Sequence, residues 1–302
     1  MKILLLGKSG QVGRALQEPL SLLGELVALD RQAIDLQHLD DLRQCVRAHQ
    51  PKVIVNAAAY TAVDQAESMP QQAQLINEEA VRVLAEETAK LNAWLVHYST
   101  DYVFDGLQSH AYVETDPTNP LNVYGHTKRS GEQAIQNSHC QHLIFRTSWL
   151  YSPHGSNFPL TILKRAREGI PLNVIEDAFG APTSARLIAE ATALALYRVL
   201  HDPQAANTAV GLYHVSASDE TSWYEYAQFL IRLAKEKKLP LKITPEDIRP
   251  IRSENYQSVA TRPKNSRLNH QKWTKQFGLV LPSWQDGITQ LMDTIGHQGI
   301  PL

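Results

Sequence analysis

Tyr124 and Lys128 stand four residues apart in PLNVYGHTKRSGEQAI. On a helix, positions i and i+4 share a face, so the phenol and the amine can enter one pocket. A tyrosine titrates near pH 10. A cation about 4 Å away, at an effective dielectric near 20, supplies roughly 4 kcal/mol, about three pKa units, and brings the phenol toward working pH, where general acid catalysis is efficient. That is the chemistry of a proton donor and its tuner. The same spacing also serves packing and solubility on any amphipathic helix, so the pair gains weight only from what stands upstream.

Upstream is GKSGQVGRAL, in which Gly7, Gly10 and Gly13 are spaced GxxGxxG. Glycines so placed allow a tight turn, close backbone approach to a pyrophosphate and close helix-to-strand packing, and the following helix offers its first amides to the anion. Gly7-Lys8-Ser9 also resembles the end of a Walker A loop, but that loop needs a glycine five residues earlier, where Lys2 stands. Further on, Asp30 can bind the adenosine ribose hydroxyls of NAD, and the adjacent Arg31 can accept the 2′-phosphate of NADP; the chain carries both and does not choose. Ser99 and Thr100 close another apolar run, at the strand end where doubly wound sheets place their ligand chemistry.

The elements that must position these residues are legible as alternating periods. Apolar, β-rich runs at 2–7, 25–30, 52–59, 94–100 and 142–149 are separated by stretches with helical spacing. Strands apolar throughout suit a parallel sheet covered on both faces, and repeated strand-helix-strand units wind it doubly. The expectation is an α/β chain: a Rossmann-type doubly wound parallel sheet with a smaller C-terminal substrate-binding α/β lobe. The assigned division is 1–150 plus roughly 173–218 for the nucleotide domain, and roughly 151–172 and 219–302 for the lobe. Ile76, Ala80, Val83, Leu84 and Leu91 read as core packing alone, and 284–295 as a packing helix with no other task.

The 302 residues, 43% hydrophobic and 20% charged, suffice for a substantial core. A net charge of −2 gives no support for a nucleic-acid surface. There are no eighteen consecutive apolar residues to span a bilayer, so no membrane role and a cytoplasmic location are expected. Cys45 and Cys140 cannot build a disulfide framework or a CxxC metal site and read as buried thiols. Twelve histidines form no HxxxH-type pair, no metal is expected, and His97 reads as a structural hydrogen-bonder.

Together the strings GKSGQVG, NAAAYTAVDQAE (56–67), HYSTDYVFDG (97–106), PLNVYGHTK, FRTSWLY (145–151), FGAPTSA (179–185) and RPKNSRL (262–268) resemble the extended short-chain dehydrogenase/reductase superfamily and, within it, the dTDP-4-dehydrorhamnose reductase family. The resemblance implies reduction by NADPH or NADH of a 4-keto nucleotide sugar, dTDP-4-dehydro-L-rhamnose, to dTDP-L-rhamnose. It makes Tyr124 the proton donor, Lys128 the residue that binds the nicotinamide ribose and tunes the phenol, and Thr100 a partner of the reacting oxygen. Asp101, Trp149 and Arg262 match substrate contacts. Gln11, Val12, Asp35, Leu36, Ala58, Ala59, Tyr60, Thr61 and Tyr98 match cofactor-lining positions.

Dehydratases of the superfamily carry Thr-Asp-Glu where this chain has Thr100, Asp101 and Tyr102, which removes the expected base for elimination. Epimerases use the same Tyr and Lys, and only the wider resemblance sets them aside. A different class, non-catalytic NADP-binding regulatory subunits, shares the fold; here Thr100, Tyr124 and Lys128 are all retained. Some relatives dimerise through magnesium held by glutamates. The matching positions are Ala15 and Arg186, so a monomer without a metal bridge is expected.

Overall fold

The computed structural model describes residues 1–298. Its centre is a six-stranded parallel sheet. From one edge the strands run β2 (Glu25–Leu29), β1 (Lys2–Leu6), β3 (Val53–Asn56), β4 (Trp94–Thr100), β5 (Gln141–Thr147) and an edge strand, Gly211–His214. Chain order reverses between β1 and β3: the chain steps outward to β2, then back across to β3. In open α/β sheets that reversal opens a crevice beyond the carboxyl ends of the strands.

β1 and β4 are apolar along most of their length because both faces are covered. On one face α1 (Gln11–Ser21) and the helix Ala185–His201 pack Val12, Leu16, Leu20, Ile188 and Leu196 against Ile3, Leu5, Val55 and Val96. On the other, α2 (Leu39–His49), α5 (Ala80–Leu91) and α6 (Val123–Asn137) bury Leu42, Val46, Val83, Leu84 and Ile135 against Leu4, Leu6, Ile54 and Leu95. A separate apolar cluster joins Tyr151, Ile162, Leu163, Leu172, Tyr226, Leu230, Trp284, Ile288 and Met292, so the helix Trp284–Gln298 packs as its spacing suggests.

Three details depart from the sequence reading. β3 ends at Asn56, releasing 57–62 as a loop before α3 (Val63–Ala66) and α4 (Pro70–Gln74). β5 ends at Thr147, because Trp149 takes a left-handed backbone (φ 48°) that no strand can continue. The segment containing Ile76 is more than packing: Leu75–Glu79 is a π-helical turn feeding α5, and such bulges re-aim side chains. Cys140 is buried while Cys45 is only half-buried, and both are free thiols. No helix among the described residues is long and apolar enough to cross a membrane.

Candidate active site

The glycine turn lies at the crevice. Gly7 has φ +84°, and a Cβ there would come within 2.8 Å of the Ala58 nitrogen. A Cβ on Gly13 would come within 2.0 Å of the Gly7 carbonyl oxygen, so both glycines are demanded by the chain's own backbone. Gly10 differs. Its φ of −71° suits any residue, and a Cβ would meet only the Gly7 oxygen at 3.4 Å. The space in front of it is kept free of side chain. Gly10 is also the N-cap of α1, with no side-chain cap and no acidic residue in the first turn, so the first amides, including those of Gln11 and Val12, keep their attraction for an anion.

At the end of β2 the two expected determinants sit side by side. Asp30, Arg31, Asp35 and Ser9 line one groove. The Ala33 N–H and the Lys8 ammonium, 3.3 Å away, hold the Asp30 carboxyl below its usual range. Arg31 donates to Asp35 at 3.1 Å and remains largely exposed. Lys8, which the sequence offers only as a false Walker lysine, is thus a fourth charged group at this end, beside Asp30, Arg31 and Asp35. Leu36 is buried in the core beneath it.

The central pair comes from α6, whose start is fixed by Asn122: its Oδ1 accepts from the Gly125 N–H at 2.8 Å. A Cβ at Gly125 would lie 2.2 Å from the Tyr102 carbonyl, so the helix can approach the turn after β4 this closely only with glycine there. Tyr124 is packed edge-on against Tyr102, ring centroids 5.8 Å apart. Burial pushes its phenol up to about 12; a hydrogen bond with Thr100 opposes that shift and the Asp101 charge adds to it. Lys128 is 2% exposed, and burial brings its amine down to about 8 against the pull of Glu132. The amine donates to the Tyr98 carbonyl at 2.5 Å and lies 3.2 Å from His97 Nε2. The strong depression of the phenol argued from spacing is therefore not what the structure shows: desolvation is the largest influence on the phenol, and the Lys128 amine turns to β4.

Thr100 closes β4, donating to Asp101 Oδ1 and accepting from the Tyr102 N–H, each at 3.1 Å. Asp101 is 3% exposed, and burial raises its carboxyl to about 6, with Ser266 and Thr100 hydrogen bonds working the other way. Ser266 brings the RPKNSRL segment to the site. From the same segment Arg262 donates to Asp64 at 2.7 Å and faces Tyr102. Trp149 is stacked on Trp223 at 3.6 Å, over Gly180, where a Cβ would come within 2.6 Å of the indole. Trp223 has no counterpart in the sequence reading.

Some expected cofactor-lining side chains point elsewhere. The Tyr98 hydroxyl pairs with Thr192 at 2.8 Å on the α1 face of the sheet, leaving only its carbonyl toward Lys128. The Gln11 amide accepts from Ser152 at 3.0 Å and Asn157 at 2.9 Å, tying α1 to the 152–157 loop. Ala58, Ala59, Tyr60 and Thr61 follow β3 as a loop, and Asn77 holds it: its Oδ1 accepts from Tyr60 N at 2.9 Å, and its Nδ2 donates to Tyr60 O and Thr127 Oγ1, each at 3.1 Å. The π-helical turn makes that reach possible. Ala15 and Arg186 both line a groove between α1 and the helix Ala185–His201, where Arg186 pairs with Glu190 at 2.7 Å. Among the described residues, no group of three or more His, Cys, Asp or Glu is placed to hold a metal.

Comparison with known proteins adds to this geometry. Residues 1–296 match the family described as the RmlD substrate binding domain. The chain is 46% identical to the dTDP-4-dehydrorhamnose reductase of Escherichia coli strain K12, over 98% of each chain. It is 42% identical to the Burkholderia thailandensis protein of that name, covering 94% of this chain and 96% of the other. Among solved structures, it superposes with a TM-score of 0.86 on dTDP-4-dehydrorhamnose reductase from Bacillus anthracis in complex with NADP, at 31% identity and over 97% of this chain and 98% of that one.

Proposed function

Because the chain belongs to the RmlD substrate binding domain family, we propose that it is an NAD(P)H-dependent oxidoreductase that reduces the C4 keto group of dTDP-4-dehydro-L-rhamnose to give dTDP-L-rhamnose. The observation that carries the reading is the meeting of Tyr124 and Thr100 at the carboxyl end of β4, on the same edge of the sheet as the glycine turn.

The residues fit a dinucleotide. Gly7, Gly10, Gly13 and the uncapped start of α1 would hold its pyrophosphate, Asp30 with Arg31 the adenosine ribose end, and Lys128 the nicotinamide ribose. When bound, the cofactor supplies the hydride. The protein's task is then to deliver one proton. A phenol held near 12 is protonated at neutral pH, so Tyr124 enters the cycle as an acid. It is still acidic enough to give its proton to an alkoxide forming at C4. The Tyr124 O–H bond breaks, the proton passes to the former carbonyl oxygen, and the phenolate left behind is steadied by Thr100 and the Lys128 charge. Asp101 and Arg262 serve the sugar hydroxyls and the diphosphate, and the Trp149 face packs on the sugar. Tyr102, where a dehydratase has a glutamate, leaves elimination without its base.

The apolar cluster around Tyr151, Tyr226 and Trp284 supports a substrate lobe that begins at about residue 150, and the helix Ala185–His201 and the strand Gly211–His214, packed in the core of the central sheet, support the return of roughly 173–218 to the nucleotide domain. Alanine and arginine at positions 15 and 186 favour a monomer, and the chain acts on a cytoplasmic nucleotide sugar. The test is oxidation of NADPH, with NADH in parallel, by purified protein given dTDP-4-dehydro-L-rhamnose. Turnover coupled to dTDP-L-rhamnose is expected. A folded, NADP-binding protein that turns over no keto sugar would favour a regulatory subunit.

A further inference from the structure

His97 is a buried ionisable group beside the central pair to which the chemistry above gives no part. It lies on β4, 1% exposed, between Asn56 at the end of β3 and Lys128 on α6. Asn56 Nδ2 is 3.2 Å from His97 Nδ1, and His97 Nε2 is 3.2 Å from Lys128 Nζ. The Asn56 amide is oriented from its other side, because its Oδ1 accepts from the Ala58 N–H at 3.2 Å. The group facing the imidazole is therefore an NH2, which only donates, and Nδ1 must carry the lone pair. Burial keeps the ring neutral, and a neutral imidazole holds one N–H, here on Nε2. That N–H points at Lys128. A neutral amine can accept it; an ammonium cannot.

Charging Lys128 thus requires two local changes: the imidazole proton moves from Nε2 to Nδ1, and the Asn56 amide turns over to present its oxygen. The turn withdraws the acceptor from the Ala58 N–H, in the backbone that closes on Gly7. We propose that His97 is a positioning residue that couples the charge on Lys128, through its tautomer and the Asn56 amide, to the Ala58 backbone of the nucleotide cradle. By linkage, a ligand atom that accepts from the Ala58 N–H frees Asn56 to turn and favours the ammonium. The charge is then greatest when the cradle is filled. The proposal rests on the reading of Lys128 given above, but its test needs no turnover.

Other groups around Lys128 do not supply this coupling. The Tyr98 carbonyl accepts from Nζ in either state. On α6, Tyr124 lies one turn before and Glu132 one turn after, the latter held by Arg146 and Ser99. Beyond β4, Asp101 is engaged by Thr100, and the π-helical turn packed on α6 presents the uncharged Asn77.

The experiment is nitrogen NMR of the imidazole in the full chain, with the Lys128 side-chain resonance followed in the same titration. The expected result is Nε2–H above the lysine midpoint near 8 and Nδ1–H below it, the two changes sharing one midpoint. In His97→Gln, whose amide can turn either way at no tautomeric cost, Lys128 should titrate at least tenfold less acidic, and the alkaline limb of the kcat profile should move with it. A single tautomer held throughout the lysine titration would overturn the proposal. So would an unmoved Lys128 in a His97→Gln protein that keeps native circular dichroism. Should that variant fail to fold, the titration of the natural sequence decides alone.

Discussion

Replacing Glu132 by glutamine tests how the active-site helix is anchored. Glu132 is 0% exposed, and its carboxylate accepts from Arg146 Nε at 2.8 Å, Arg146 Nη2 at 2.7 Å and Ser99 Oγ at 2.6 Å. Arg146 is itself 3% exposed. The amide keeps the shape and removes the charge, leaving a guanidinium in low dielectric with no counter-ion, which costs about 3–5 kcal/mol. At about 2.1 cal/mol/K of unfolding entropy per residue, a chain of 302 residues changes by roughly 0.6 kcal/mol per degree, so a loss of about 4 kcal/mol lowers Tm by roughly 6 °C. Differential scanning calorimetry reads this directly. Pairing the change with Arg146→Met removes the orphaned charge, and the double variant should recover most of the loss. Glu132 also supports the Lys128 charge, so Glu132→Gln should lower the lysine midpoint below about 8. A single variant within about 1 kcal/mol of the natural protein, or a double variant no better than the single, would refute the reasoning.

Gly10→Ala should leave Tm unchanged, since its φ of −71° and a 3.4 Å contact tolerate a methyl, yet weaken NADPH binding at least tenfold by calorimetric titration. Gly13→Ala should lose stability as well, its Cβ meeting the Gly7 oxygen at 2.0 Å. Asn77→Ala strips the Tyr60 backbone of its partners and should cost roughly 2–3 kcal/mol in urea unfolding, with weaker NADPH binding because the 57–62 loop is released. Asp101 has a folded pKa near 6, above its ordinary value of 3.8, so its stabilising contribution is full below 3.8 and is lost as pH rises through 6. Asp101→Asn should therefore gain stability relative to the natural protein by about 1–2 kcal/mol between pH 5 and pH 8, and an inflection near pH 6 in KM should vanish. A stability difference independent of pH would contradict this.

The parallel sheet was legible because β1, β3, β4 and β5 are buried on both faces, and each carries at least three consecutive apolar residues in place of an alternating pattern. The edge strand Gly211–His214 has only Leu212 and Tyr213 apolar, between a glycine and a histidine, and does not stand out from its surroundings. The glycine turn and the Tyr124–Lys128 pair were legible because a local rule, backbone space in one case and helical period in the other, fixes the residue type. Lys8, Asn77 and Trp223 were not, since each acts across the fold: Lys8 on Asp30, Asn77 on Tyr60 and Trp223 on Trp149; His97 was legible as a hydrogen-bonder, but its partners Asn56 and Lys128 were not. The π-helical turn has no periodic signature, because it interrupts a pattern that otherwise stays helical. Spacing could place a cation near the phenol, but it could not show that both groups would be desolvated.

The most direct test of the account removes one oxygen atom. Tyr124→Phe should lower kcat for dTDP-4-dehydro-L-rhamnose reduction by about 10²–10⁴-fold while the Kd for NADPH stays within twofold, since the general acid is lost and the cradle is untouched. A variant that retains turnover with native affinity would contradict Tyr124 as the proton donor.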